Sequence, residues 1–264
     1  MTAIVGYTGR AFLVSTHAFF SACTLILDTA YWLTIGPLRG RGFRFRAAVE
    51  QFVLVGFNSL PIVMLITLLL GAILAMQSAH QLSGFGVSYL VPDLVAVAAM
   101  RELAPLMTAI LIAGRSGSAF TAEIGTMRVS EEIDALEVMG LNPTKYLVIP
   151  KFVGTTLAVP MVTMIGTFTM ILGGFLISTS YLGQDAAIYI KSSADALTMK
   201  DFANGLTKSV FFAIVICMVG VYRGFEVEGG AEGVGKKTTS SVVTSIFLIV
   251  LLDVVFTYLF FSKS

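Results

Sequence analysis

Arg101 and Glu102 stand side by side in one long apolar run, while Lys208 and Asp253 each stand in another. Side chains of these types can pair with one another, contact a charged head group or latch two conformations. At a helix centre in hydrocarbon each costs roughly 2.5–3.5 kcal/mol on insertion scales, so four cost on the order of 10 kcal/mol unless compensated. Their formal charges sum to zero, which permits mutual pairing. Neighbours in a helix lie about 100° apart, so Arg101 and Glu102 cannot share a face. Each must look to another helix or to water, with Lys208 and Asp253 as the natural candidates. One reading is a polar, water-accessible cavity on a substrate path. The other is a static buried network that fixes helix packing, with charges near the span ends reaching the interface.

Other chemistry finds few pieces. His17 and His80 are the two histidines, too few for a histidine metal site or a Ser-His hydrolase, and no G-x-S-x-G elbow occurs. Cys23 and Cys217 sit far apart in apolar runs and read as small buried hydrophobes. Residues 230–238, GAEGVGKKT, nearly spell a phosphate-binding loop, but Lys237 stands where Ser or Thr is required. No strand precedes that segment and a span follows it, so it reads as a flexible loop. No catalytic residue, metal or cofactor is expected on this chain.

A second group of charges lies outside the apolar runs. Residues 114–143, GRSGSAFTAEIGTMRVSEEIDALEVMGLNP, hold five of the sixteen acidic residues. A helix is expected over 128–140. Ser130 can cap it, Glu131 and Glu132 suit its positive N-terminal end, and Gly140 can stop it. Ile133, Leu136 and Met139 form an apolar strip at three-residue spacing, flanked by Asp134 and Glu137 and preceded by Arg128. An apolar ridge with acidic edges reads as a docking element, against the alternative of a solvated loop.

The elements that must position these residues follow from composition. The 264 residues are 56% hydrophobic and 12% charged. Soluble domains carry roughly 25% charged residues, so the class is an all-α, polytopic helical membrane protein. Net charge is +1, which gives no electrostatic case for nucleic acid. A span needs about 20 apolar residues. Segments 51–77, 87–113, 147–178, 203–222 and 242–261 supply five transmembrane helices within a single transmembrane domain over 1–264. Cytoplasmic assignment of residues 1–50, 114–146 and 223–241 gathers nearly all Arg and Lys of the loops on one side, leaving Lys191 and Lys200 opposite. The segment 179–202 and the C-terminus then lie outside and the N-terminus is cytoplasmic. In the elbow region 1–50, Arg10, His17, Ser21, Thr24 and Asp28 form one stripe of a helix. An interfacial amphipathic helix is expected there, with a sixth span as the alternative. A cleaved signal is not expected.

Residues 101–143, from RELAPLM through GRSGSAFTAEIG to GLNP, resemble the signature region of the MlaE-type permeases, and the likeness extends through Leu206–Ala213 and Leu251–Phe256. These are membrane subunits of ABC transporters that work with MCE-domain proteins. The resemblance implies a homodimer of five-span subunits in the bacterial inner membrane, two cytoplasmic ABC ATPases that bind the ATP and Mg, and a periplasmic MCE-domain protein. In that membrane the outside, with the segment 179–202 and the C-terminus, is the periplasm. It also admits a small cytoplasmic STAS-type regulator. The implied substrate is phospholipid moved between inner and outer membranes, which maintains outer-membrane asymmetry. The implied coupling helix, which docks into the ATPase, comprises Arg128, Glu131, Glu132, Ile133, Asp134, Leu136, Glu137 and Met139. Arg101, Glu102, Lys208, Asp253 and Gln77 fall at implied lipid-cavity positions. The alternative is a scaffold that anchors a periplasmic lipid-binding protein without forming the lipid path.

Overall fold

The computed structural model describes residues 23–34 and 44–261, and all regular structure among them is helical. In chain order the helices are α1 (23–34), α2 (Phe45–Ser83), α3 (Ser88–Val129), α4 (Glu132–Val138), α5 (Thr144–Ser180), α6 (Ala186–Ala196), α7 (Met199–Phe225) and α8 (Gly230–Phe260). Five of them, α2, α3, α5, α7 and α8, are long and apolar enough to cross a membrane, as expected. All five exceed their apolar runs, because polar residues continue the helix beyond hydrocarbon. Residues 230–241, expected as a loop, are instead the first turns of α8. Arg10, His17 and Ser21 of the N-terminal stripe lie outside the described residues.

Proline and small residues explain where the long helices depart from regularity. In α2 a short tight turn at Phe57–Ser59 precedes Pro61, which has no N–H to return to Phe57. α3 contains two π-bulges, Ala99–Leu103 and Ala113–Gly117. Pro105 cannot donate to the carbonyl of Arg101, and the helix yields there. A third bulge opens α5 at Thr144–Val148, just before Pro150. Pro150 likewise leaves the Tyr146 carbonyl without its usual donor. Arg44 donates to that oxygen at 3.4 Å, and its guanidinium lies 3.9 Å from the centre of the Tyr146 ring.

Helix α2 lies along α5 at backbone contact. A Cβ on Gly71 would stand 1.8 Å from the Met170 carbonyl oxygen, and one on Gly173 would stand 1.9 Å from that of Leu68. Small residues allow such approach where no hydrophobic force drives helices together in lipid. The Thr67 and Thr169 hydroxyls, 2.6 Å apart, pin the register. Helix α7 is the most enclosed span, packed on α3, α5 and α8. Helix α8 touches α3 and α7 on one side and otherwise presents Val243, Phe247, Val254 and Tyr258 outward.

The connections divide the bundle into two ends. α4 joins α3 to α5 at one end, with α1 beside it: Lys145 Nζ lies 5.4 Å from the centre of the Trp32 ring. α6 joins α5 to α7 at the other end. Asp185 caps α6 through the N–H groups of Ala187 and Ile188, at 2.8 and 3.2 Å. Tyr189 anchors it, donating to the Ile171 carbonyl at 3.2 Å, and burial pushes its phenol up to about 12.

Candidate functional site

Arg101, Glu102, Lys208 and Asp253 come together near the α6 end. The π-bulge of α3 presents Glu102 toward Lys208 of α7, whose side chain is 1% exposed. Lys208 Nζ donates to Glu102 Oε2, pairs with Asp253 Oδ1 of α8 at 2.9 Å and donates to Thr257 Oγ1 at 2.9 Å. Two of the three ammonium N–H groups are thus donated, and Asp253 Oδ1 is held as a counter-ion without a hydrogen bond. The Thr257 hydroxyl in turn donates to Glu102 Oε1 at 2.9 Å, which closes the ring. Three spans are thereby tied at one depth.

Arg101 turns the other way. Its Nε donates to Asp201 Oδ1, and Asp201 sits buried in the first turn of α7. The second oxygen of Asp201 accepts from the Thr198 backbone N–H at 2.9 Å and its hydroxyl at 2.8 Å, within a capping box. Arg101, Glu102, Thr198, Lys200, Asp201, Asn204, Lys208, Thr257 and Phe260 line a cavity of about 480 Å³. The cluster now holds two cations, Arg101 and Lys208, against three carboxylates, Glu102, Asp201 and Asp253. Its surplus negative charge is faced by exposed Lys200 on the cavity wall. The structure therefore brings together Arg101, Glu102, Lys208 and Asp253, but pairs Arg101 with Asp201, which sequence reasoning did not single out. Gln77 does not join them: it is exposed on α2 and absent from the cavity lining.

At the opposite end the loop helix differs from expectation in three respects. α3 persists through Val129, so Arg128 closes α3 and α4 begins at Glu132. Ser130 does not cap α4. Its hydroxyl donates back to the Thr126 carbonyl at 2.9 Å, and Glu131 takes the capping position with φ 57°. Ile133 and Leu136 are 3% and 8% exposed and belong to the main core, so these two members of the strip face inward, while Met139 is 64% exposed. A short amphipathic helix turns its apolar side to its own protein first. What α4 presents outward is Glu131, Glu132, Asp134, Glu137, Val138 and Met139, with Val138 89% exposed. Arg128 pairs with Asp134 at 2.7 Å, and Gly140 (φ 74°) ends the helix as expected. Beside α4 a cleft of about 1110 Å³ is lined by Thr24, Asp28, Arg128, Glu137, Lys236 and Lys237, among others.

One buried cation escaped the sequence reading altogether. Lys151 lies inside the run 147–178, and its side chain is 2% exposed, paired with Glu123 at 2.6 Å. A count of every charge in the predicted spans would have found it.

Five apolar spans, a polar cavity walled by ion pairs and a charged helix between spans define an integral membrane protein of the permease kind. The sequence model described as "Permease MlaE" matches residues 48–259, and the chain belongs to that family. It is 36% identical over 253 residues to a probable ABC transporter permease of Rickettsia prowazekii, covering 96% of this chain and 98% of that one. A probable ABC transporter permease of Synechocystis is 36% identical over 89% of this chain and 91% of its own. A third, from Pyropia yezoensis, is 38% identical over 82% of each. The chain is thus the transport component of an ABC system and works with a partner ATPase that supplies the catalysis.

Proposed function

We propose that this permease moves phospholipid between the inner and outer membranes of a bacterium and so maintains outer-membrane lipid asymmetry. The observation that carries the reading is the cavity at the α6 end, where half-exposed Arg101 and exposed Lys200 stand beside the Glu102–Lys208–Asp253 network. A zwitterionic or anionic head group finds both signs of charge there, and acyl chains find the apolar faces of the spans. By the bias of Arg and Lys, α4 is cytoplasmic and α6 periplasmic, so the N-terminus is cytoplasmic and the C-terminus periplasmic. The ATPase, which binds the ATP and Mg, docks on α4. A periplasmic MCE-domain protein receives or delivers lipid at the α6 end, and a small STAS-type regulator belongs with the ATPase. The outward apolar face of α8, whose apolar window is only 11% buried, supports a homodimer with the lipid path between two copies. The movement of α4 on ATP binding and hydrolysis then opens or closes that path.

Reconstitution with the ATPase and MCE partners tests this by following labelled phospholipid between vesicles. Wild-type protein should transfer lipid only with ATP. Glu102→Gln and Lys208→Met should lower transfer about tenfold while the complex still assembles. Unchanged transfer in both variants would assign the charges to packing alone. ATP-independent behaviour throughout would favour a scaffold that anchors the periplasmic partner.

A further inference from the structure

Lys151 and Glu123 take no part in the cavity network, yet their ion pair joins the two arms of the α4 loop, one on α5 and the other on α3. Glu123 lies on α3 two turns before that helix ends, and Lys151 on α5 two turns after it begins. We propose that their contact is the link through which movement of α4 reaches the interior of the bundle. This rests on the reading of the chain as an ATP-driven phospholipid permease.

The pair is asymmetric. Lys151 is 2% exposed and its Nζ lies 2.6 Å from Glu123 Oε2, whereas Glu123 is 50% exposed. If the arms part, water can hydrate Glu123 where it stands. Lys151 would keep its charge in the core, with the Phe120 ring 5.0 Å away and the Cys217 thiol within electrostatic reach but no carboxylate in contact. A buried charge stripped of its partner is far costlier than the pair, so partial separation is disfavoured and the two arms move as one. The same turns of α5 are wedged against α2. A Cβ on Gly154 would stand 2.8 Å from the Phe52 backbone nitrogen and 2.9 Å from the Ala48 carbonyl oxygen. On the other side of the contact, α3 lies against α7, where a Cβ on Gly220 would be 2.9 Å from the Gly117 carbonyl oxygen. A push on α4 that keeps Glu123 on Lys151 therefore displaces α2 and α7 together. Lys151 and Glu123 are positioning residues: they touch neither the cavity nor the exposed face of α4.

The test is the number of labelled phospholipids transferred per ATP hydrolysed, in the complete reconstituted complex, for Glu123→Gln, Lys151→Met and the double variant. The ATPase should co-purify with each and hydrolyse ATP within about twofold of wild type, while transfer per ATP falls about fivefold in each single variant. The double variant should be no worse than the worse single, because both remove one contact. A wild-type ratio in the single variants, or losses that multiply in the double, would overturn the proposal. Should either single variant fail to assemble, the double variant decides, since it leaves no buried charge unpaired: wild-type transfer per ATP in it overturns the proposal. A wild-type complex without ATP-dependent transfer would fail the permease reading itself, and the link with it.

Discussion

Lys208 offers one positive charge to two carboxylates, whereas Arg101 and Asp201 meet one to one. The two pairings should respond differently to neutralisation. Asp201→Asn leaves Arg101 without its counter-ion and weakens the cap on α7, and should cost about 2 kcal/mol of stability. Asp253→Asn leaves Glu102 on Lys208 and removes the surplus negative charge, and should cost less than half of that. Thermal melts in detergent rank the two, and equal losses would contradict the surplus. The need for partners was readable from Arg101, Glu102, Lys208 and Asp253 in apolar runs. Which residue answers which was not, because the pairs join helices distant in sequence. Thr198-x-x-Asp201 ahead of an apolar run was a usable sign of the missing carboxylate, since that spacing marks a capped helix start. Thr257 carried no such sign: a hydroxyl in a span ordinarily bonds its own helix.

Helix α4 and the bulges of α3 show how far local pattern carries. Gly140 stops α4 as its residue type dictates, but the start moved because the Ser130 hydroxyl is still claimed by the last turn of α3. Glu131 pays for this with a left-handed backbone, worth roughly 1–2 kcal/mol in a residue with a side chain. Spacing identified Ile133 and Leu136 as one strip correctly, yet spacing cannot say whether a strip meets its own core or a partner. Their burial shifts the proposed docking face to Val138 and Met139 with the acidic rim of Glu131 and Glu132. Val138→Asp with Met139→Asp, or Glu131→Lys with Glu132→Lys, should abolish co-purification of the ATPase and leave the permease's own melt within a few degrees. Ile133→Asp should instead lower the melt itself, by about 3 kcal/mol or more, through a buried unpaired charge. Retention of the ATPase by both surface variants would remove α4 as its dock.

Across the molecule, the five spans were evident from hydropathy because lipid demands length and apolarity of each helix separately. Their mutual contacts were not, because glycine stripes and buried pairs such as Lys151–Glu123 acquire meaning only after packing. The joint between α7 and α8 is one such contact. Glu226 accepts from Tyr222 at 2.6 Å, Arg223 at 2.9 Å and Lys237 at 3.0 Å. Burial alone would raise its carboxyl, but those three donors hold it below the usual carboxylate range. A depressed carboxylate contributes stability that is complete above its ordinary value, near 4.5, and is lost as pH falls through the folded value. The melting temperature should therefore decline on acidification below that range, and Glu226→Gln should flatten the decline. A variant that follows the wild-type pH curve would discount the joint. The cavity network has, finally, an order in time. Spans are synthesised from the N-terminus, so Glu102 is in the membrane when Lys208 arrives, and both precede Asp253. Lys208 thus enters after the carboxylate it pairs with in the finished fold, whereas Asp253 enters last, toward a charge that Glu102 can already balance. The helix that carries Asp253 is also the one least gripped by the others, 11% buried along its apolar window. Seating α8 against the other spans is thus the last step in building the subunit and the one with the smallest share of residues buried by it.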